Sequence, residues 1–189
     1  MKLTMSGSSL LPQKLFWVDL EMTGLDPNED CILEIAAEIT DFNFKTLASY
    51  EARIKQPKER VAERMQKNSW WQDYPENRDD FLSKVNDGKT LGVVEEELSA
   101  LLKTHFSAQP AILAGNSIHN DRLFIKKYWP TLDLALHYRM LDVSTLKILF
   151  QGKYSIDYEK TNSHRAFDDI QASIAELQYY LDWFKKNQN

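Results

Sequence analysis

The sequence predicts an α/β fold, a mixed sheet with helices packed on it, and two observations carry that expectation. Three strand-like runs come first, joined by short turns, and short connections make antiparallel neighbours. Strand-like runs then alternate with helical ones, an order that extends a sheet through helical connections.

The opening strands are "KLFWVDLEM" (14–22), "CILEIAAEITD" (31–41) and "LASYEARIK" (47–55). "TGLDPNED" joins the first two with Gly24 and an Asp-Pro pair, and the short "FNFK", carrying Asn43, joins the next two. Helices are expected over 57–67, 76–86 and 92–106. The apolar run "PAILAGN" makes a fourth strand ending at Gly115, and "NDRLFIKKYWP" is helical up to Pro130. "LALHYRML" supplies a fifth strand, and a further helix starts near Ser144. The last helix runs from His164 to Lys185, with Ile170, Ile174, Leu177 and Leu181 recurring at helical spacing.

Residues 1–13 read as a flexible leader, and 14–187 as a single domain with enough apolar content to bury a core. No apolar run approaches the roughly 18 residues of a membrane span. No secretory signal is visible and Cys31 is the only cysteine, so no intrachain disulfide forms and a cytoplasmic location is expected. A net charge of −5 disfavours gripping a long nucleic-acid duplex through many phosphates. It leaves room for a nuclease acting on a short strand through a metal site.

"FWVDLEMTGLD" places Asp19 and Glu21 at alternate strand positions, so both project from one face. Like charges at that spacing repel, and a divalent cation between them relieves the repulsion, Mg²⁺ and Mn²⁺ preferring hard carboxylate oxygens. The plain alternative is an edge strand with its acidic face in water. Two later stretches add candidates. "GNSIHNDRLF" places Asp121 at a helix start, where a first-turn acid also needs no function. "SHRAFDDI" opens the last helix with His164 and Asp169 five positions apart, off one another's face but able to flank one site.

Taken together, the order D-x-E, D, H-x-x-x-x-D resembles the histidine-bearing branch (DEDDh) of the DEDD 3′→5′ exonucleases. "FWVDLEMTGLDP", "AGNSIHNDRLF", "HYRMLDVSTLK" and "HRAFDDIQASIAELQYY" are similar to the oligoribonuclease family over most of residues 14–184. The resemblance implies a ribonuclease H-like mixed five-stranded sheet flanked by helices, and two divalent ions, Mg²⁺ or Mn²⁺. Asp19 would bridge both ions, Glu21 and Asp169 would hold the one serving the attacking water, and Asp121 the other. His164 would be the general base, since imidazole titrates near neutral pH.

The same resemblance implies that Arg139, Ser144, Thr145 and Ser117 close over a substrate's 5′ phosphate. Such a cap restricts substrates to RNA of two to about five nucleotides, a range taken from the family. A helix start at Ser144 and the planar fork of Arg139 suit phosphate; a plain cap and a surface cation are the alternatives. Tyr138 matches a tyrosine that reaches the neighbouring active site of a homodimer, and Leu25 one that wedges between bases. The alternative enzyme is a DEDDh exonuclease working on longer RNA or DNA 3′ ends; a non-catalytic nucleotide-binding module is the reading from another class.

One region departs from the family pattern. A tryptophan is expected to be followed by a histidine and an "SGL"-like run, but the chain reads "SWWQDYPENRDDFLSK". Trp70 or Trp71 would be the platform for a base, and the sequence does not choose between them. The stretch before His164 also reads shorter than the family's.

Overall fold

Alternation along the first strand sets the architecture. In β1 (Lys14–Met22) Phe16, Val18 and Leu20 point to one side and Leu15 and Trp17 to the other, each set into its own apolar core. A strand buried on both faces needs layers above and below it. The computed structural model describes residues 13–107, 109–159 and 165–187. Nearly all of the expected leader, and His164, lie outside the described residues.

β1 pairs antiparallel with β2 (Ile32–Asp41), and β2 with β3 (Thr46–Arg53). β4 (Ala111–Gly115) pairs parallel with β1, and β5 (Leu136–Asp142) parallel with β4. The sheet is five-stranded and mixed, in the order β3-β2-β1-β4-β5, so the expected ribonuclease H-like arrangement is present.

The helices in chain order are α1 (Lys58–Lys67), α2 (Trp70–Asp73), α3 (Pro75–Lys84), α4 (Leu91–Phe106), α5 (His119–Tyr128), α6 (Pro130–Leu134), α7 (Val143–Leu149) and α8 (Ala166–Lys186). A single π-helical turn, Phe150–Tyr154, extends α7. α4, α5 and α6 cover one sheet face through Val94, Leu98, Phe124, Ile125 and Leu132. α8 crosses β1 and β2 on the other face, burying Ala166, Ile170, Ile174 and Leu177 against Leu15, Trp17 and Ala36. α1 to α3 form a third, smaller core with Leu33 around Trp71.

Three local features differ from expectation. α5 ends at Tyr128, and Pro130 starts the short α6, because proline suits a first helical position as well as it breaks an interior one. α2 is only four residues long, too short for any periodic signal. α8 is helical from Ala166, preceded by Arg165 in extended conformation.

Candidate active site

The face of β1 that carries Leu15 and Trp17 into the core continues, two residues at a time, as Asp19 and Glu21. Asp169, buried in the first turn of α8, meets them from above. One carboxylate oxygen from each of Asp19, Glu21 and Asp169 lies within 4.8 Å of the others. Burial, then the charges of Asp19, Asp169 and Glu34, push the Glu21 pKa up to about 8. A group of hard oxygen donors that repel one another this strongly fits a divalent cation such as Mg²⁺ or Mn²⁺.

Asp121 approaches from the other side of the strand. The register of β4 with β1 runs only from Leu15↔Ile112 to Trp17↔Ala114, so the Leu20 N–H lies past the end of that ladder. Asp121 Oδ1 accepts it at 2.9 Å. Gly115 permits the turn leading there, since a Cβ would stand 2.8 Å from the Val18 carbonyl oxygen. Asp121 is 6% exposed, and burial followed by the Asp19 charge holds its pKa well above the usual carboxylate range. It borders the three-carboxylate group without belonging to it. The site therefore lies at the carboxyl ends of the parallel strands β1 and β4, where open α/β sheets leave a crevice.

The turn after β1 is held rigidly. Asp30 is buried, accepting from Thr23 Oγ1 (2.9 Å), the Asp26 N–H (3.0 Å) and Arg64 Nε (3.0 Å). From this framework Leu25 projects into solvent, 66% exposed. The two tryptophans separate cleanly. Trp71 is 1% exposed, and its Nε1–H donates to the Thr23 carbonyl at 3.0 Å. That is a correction to its candidacy as a base platform: its ring is committed to the third core against Phe81. Trp70 is only partly buried and lies beside Tyr74, ring centroids 4.6 Å apart.

Ser117 and Ser144 are brought together, their hydroxyl oxygens 3.2 Å apart. The Ser117 N–H donates to Ser144 Oγ (2.9 Å) and to Asp142 Oδ1 (3.0 Å), and Ser117 itself has φ 50°. Asp142 also caps α7 by accepting the Ser144 N–H at 3.0 Å. At this helix start the Ser144 N–H is therefore already taken, by a carboxylate two residues earlier. Ser144 Oγ donates to Asn116, whose amide in turn donates to Ser173 and to the buried Glu176 of α8 at 3.0 Å each. Thr145 and Arg139 are exposed, the Arg139 guanidinium 5.1 Å over the Tyr138 ring. Tyr138 is 73% exposed on edge strand β5, outside the core clusters of the described residues.

Sequence reasoning passed over Asn116 and Asp142. The capping pattern D-x-S at 142–144 is a usable signal for Asp142; nothing local marks Asn116, whose side-chain partners Ser144, Ser173 and Glu176 are 28, 57 and 60 residues away.

Comparison with known proteins follows this geometry. Residues 16–177 match the model of the RNase_T exonuclease family. A probable oligoribonuclease of Caenorhabditis elegans is 42% identical over 177 residues, covering 91% of this chain and 89% of the relative. An oligoribonuclease of Francisella tularensis subsp. tularensis (strain WY96-3418) is 41% identical over 172 residues, 88% and 93% of the two chains. Among solved structures, exonuclease I from Methylocaldum szegediense superposes with a TM-score of 0.62 at 14% identity, over 94% of this chain and 41% of that one. Escherichia coli exonuclease I in complex with a dT13 oligonucleotide gives 0.60 at 13% identity, over 94% and 44%. The chain thus spans less than half the length of those two enzymes, and the likeness to them is one of fold.

Proposed function

The chain belongs to the RNase_T exonuclease family and, within it, to the oligoribonucleases, and from that premise we propose how its own residues perform 3′→5′ exoribonucleolysis on very short RNA. The observation that carries the reading is the convergence of Asp19, Glu21 and Asp169 within 4.8 Å, in a chain whose relatives are oligoribonucleases.

Asp19, Glu21 and Asp169 would hold one divalent ion, and Asp19 with Asp121 the second. Bound there, Mg²⁺ or Mn²⁺ supplies Lewis acidity that activates water and neutralises charge on the leaving oxygen. The protein residues orient and exclude. Leu25 and Trp70 sandwich the bases, stacking on Trp70 suiting any base because every base has a π-face. Ser117, Ser144, Thr145 and Arg139 bind the 5′ phosphate once it displaces Asp142 from the Ser117 and Ser144 N–H groups. His164 takes the proton of the attacking water, a role supported by its place in the sequence motif.

The protein works as a cytoplasmic homodimer on this reading, with Tyr138 reaching the neighbouring site. Support comes from apolar side chains left in water on β5, α6 and α7: Leu134, Tyr138, Met140, Ile148 and Leu149. No described helix is long and apolar enough to cross a membrane.

The test is a time course on 5′-labelled RNA of two, five and twenty nucleotides in Mn²⁺, Mg²⁺ or EDTA. Metal-dependent hydrolysis fastest on the dinucleotide is expected. Equal or faster attack on the 20-mer would remove the 5′ cap from the account.

A further inference from the structure

The segment that departs from the family's sequence pattern supplies an acid, Asp80 of α3, to a ring of alternating charges beside the carboxylate site. Arg165 Nη2 meets Asp80 Oδ2 at 2.7 Å, and Arg165 Nη1 meets Glu34 Oε2 at 3.3 Å. Arg53 closes the ring, at 3.4 Å from Asp80 and 3.6 Å from Glu34. Lys84 Nζ holds the other Asp80 oxygen, and the Arg165 guanidinium lies 5.4 Å over the Phe81 ring. Four chain segments, β2, β3, α3 and the residue before α8, are joined at one point.

Arg165 matters because of what its backbone does. It is the residue immediately before α8, and its carbonyl accepts the Asp169 N–H at 3.0 Å. Its side chain is clamped to α3 while its main chain anchors the residue whose carboxylate joins Asp19 and Glu21. The positive charge of Arg165 also acts on Glu21 of the acidic cluster, working against the rise of its pKa.

We propose that Asp80 is a positioning residue for the metal site: by gripping Arg165 it fixes the first turn of α8, and with it Asp169, while keeping the Arg165 cation off the Asp19–Glu21–Asp169 carboxylates. This rests on the metal-dependent reading above. It is separable from a structural role, since α3 is tied to its core independently by Phe81.

Asp80→Asn and Asp80→Glu are compared with the parent by calorimetric Mn²⁺ titration without substrate, dinucleotide hydrolysis and thermal unfolding. Asp80→Asn is expected to weaken Mn²⁺ binding about 10-fold and lower kcat by about 10- to 100-fold, the scale of a catalytic group displaced by an ångström or so. KM and the thermal midpoint stay near the parent's, and Asp80→Glu, which keeps the charge, recovers most of both losses. Arg165→Lys, which keeps the charge but not the fork, shifts Mn²⁺ affinity in the same direction as Asp80→Asn. Mn²⁺ affinity and kcat unchanged in Asp80→Asn overturn the proposal, as does a loss confined to the thermal midpoint. A parent that binds Mn²⁺ but leaves the dinucleotide intact overturns the functional reading instead, and the Mn²⁺ titrations still decide the role of Asp80.

Discussion

Asp19 and Glu21 are the residues most plainly legible from sequence, because the two-residue period of a strand puts them on one face whatever the fold around them. Their consequence is measurable. Glutamate ordinarily titrates near 4.5, whereas burial and the neighbouring carboxylates push Glu21 up to about 8 in the fold. An acid whose pKa is raised by folding favours the fold while protonated, so its contribution is present below about 4.5 and is lost as pH rises through about 8. A cation must displace that proton. The rise in thermal midpoint on adding Mn²⁺ is therefore expected to be larger at pH 8.5 than at pH 5.5, which paired melts check. The adjacent tryptophans show the opposite case. No local pattern separates Trp70 from Trp71; only the packing of Phe81 and the Thr23 carbonyl does. Trp71→Ala is expected to destabilise the fold by about 3–5 kcal/mol, read by denaturant unfolding. Trp70→Ala is expected to leave stability close to the parent's and raise KM roughly 10-fold, as loss of one stacked base would.

At the scale of elements, the long helices are legible because each repeats its period several times over, and the five strands because they are apolar or alternating runs bounded by turns or helices. α2 and α6 are not, since four or five residues hold barely one turn. α7 starts at Val143, beside the expected Ser144, and its Asp142 cap, which no periodicity marks, links the β5–α7 corner to the end of β4 through Ser117. Asp142→Ala is expected to cost about 0.5–2 kcal/mol from the lost cap. Thermal unfolding reads that loss, and Asp142→Asn, which still accepts hydrogen bonds, should return most of it. If Asp142 stands in for the 5′ phosphate, KM of Asp142→Ala for a 5′-phosphorylated dinucleotide should rise less than its loss of stability suggests.

Across the whole molecule, the mixed sheet followed from three short-linked strands and then alternating elements, and the order β3-β2-β1-β4-β5 puts β1 at its centre. That centrality could not be read from β1 alone, whose apolar residues suit a flanking strand equally well. It explains why Asp19, Glu21 and Asp169 meet with Asp121 at their border: a central strand is the place two helices from opposite faces, α5 and α8, both reach. The exposed apolar side chains of β5 and α7 belong to this scale too. Sedimentation equilibrium is expected to give twice the mass of the chain, and Tyr138→Ala to lower kcat more than it weakens association. A monomer at full activity would remove Tyr138 from the reaction.

The central claim is that carboxylates from β1 and the start of α8 form one divalent-metal site. Anomalous diffraction from crystals grown with Mn²⁺ tests it most directly. A peak at roughly 2.0–2.3 Å from carboxylate oxygens of Asp19, Glu21 and Asp169 is the predicted result. Mn²⁺ bound elsewhere while these three carboxylates stay metal-free at pH 8.5 would contradict it.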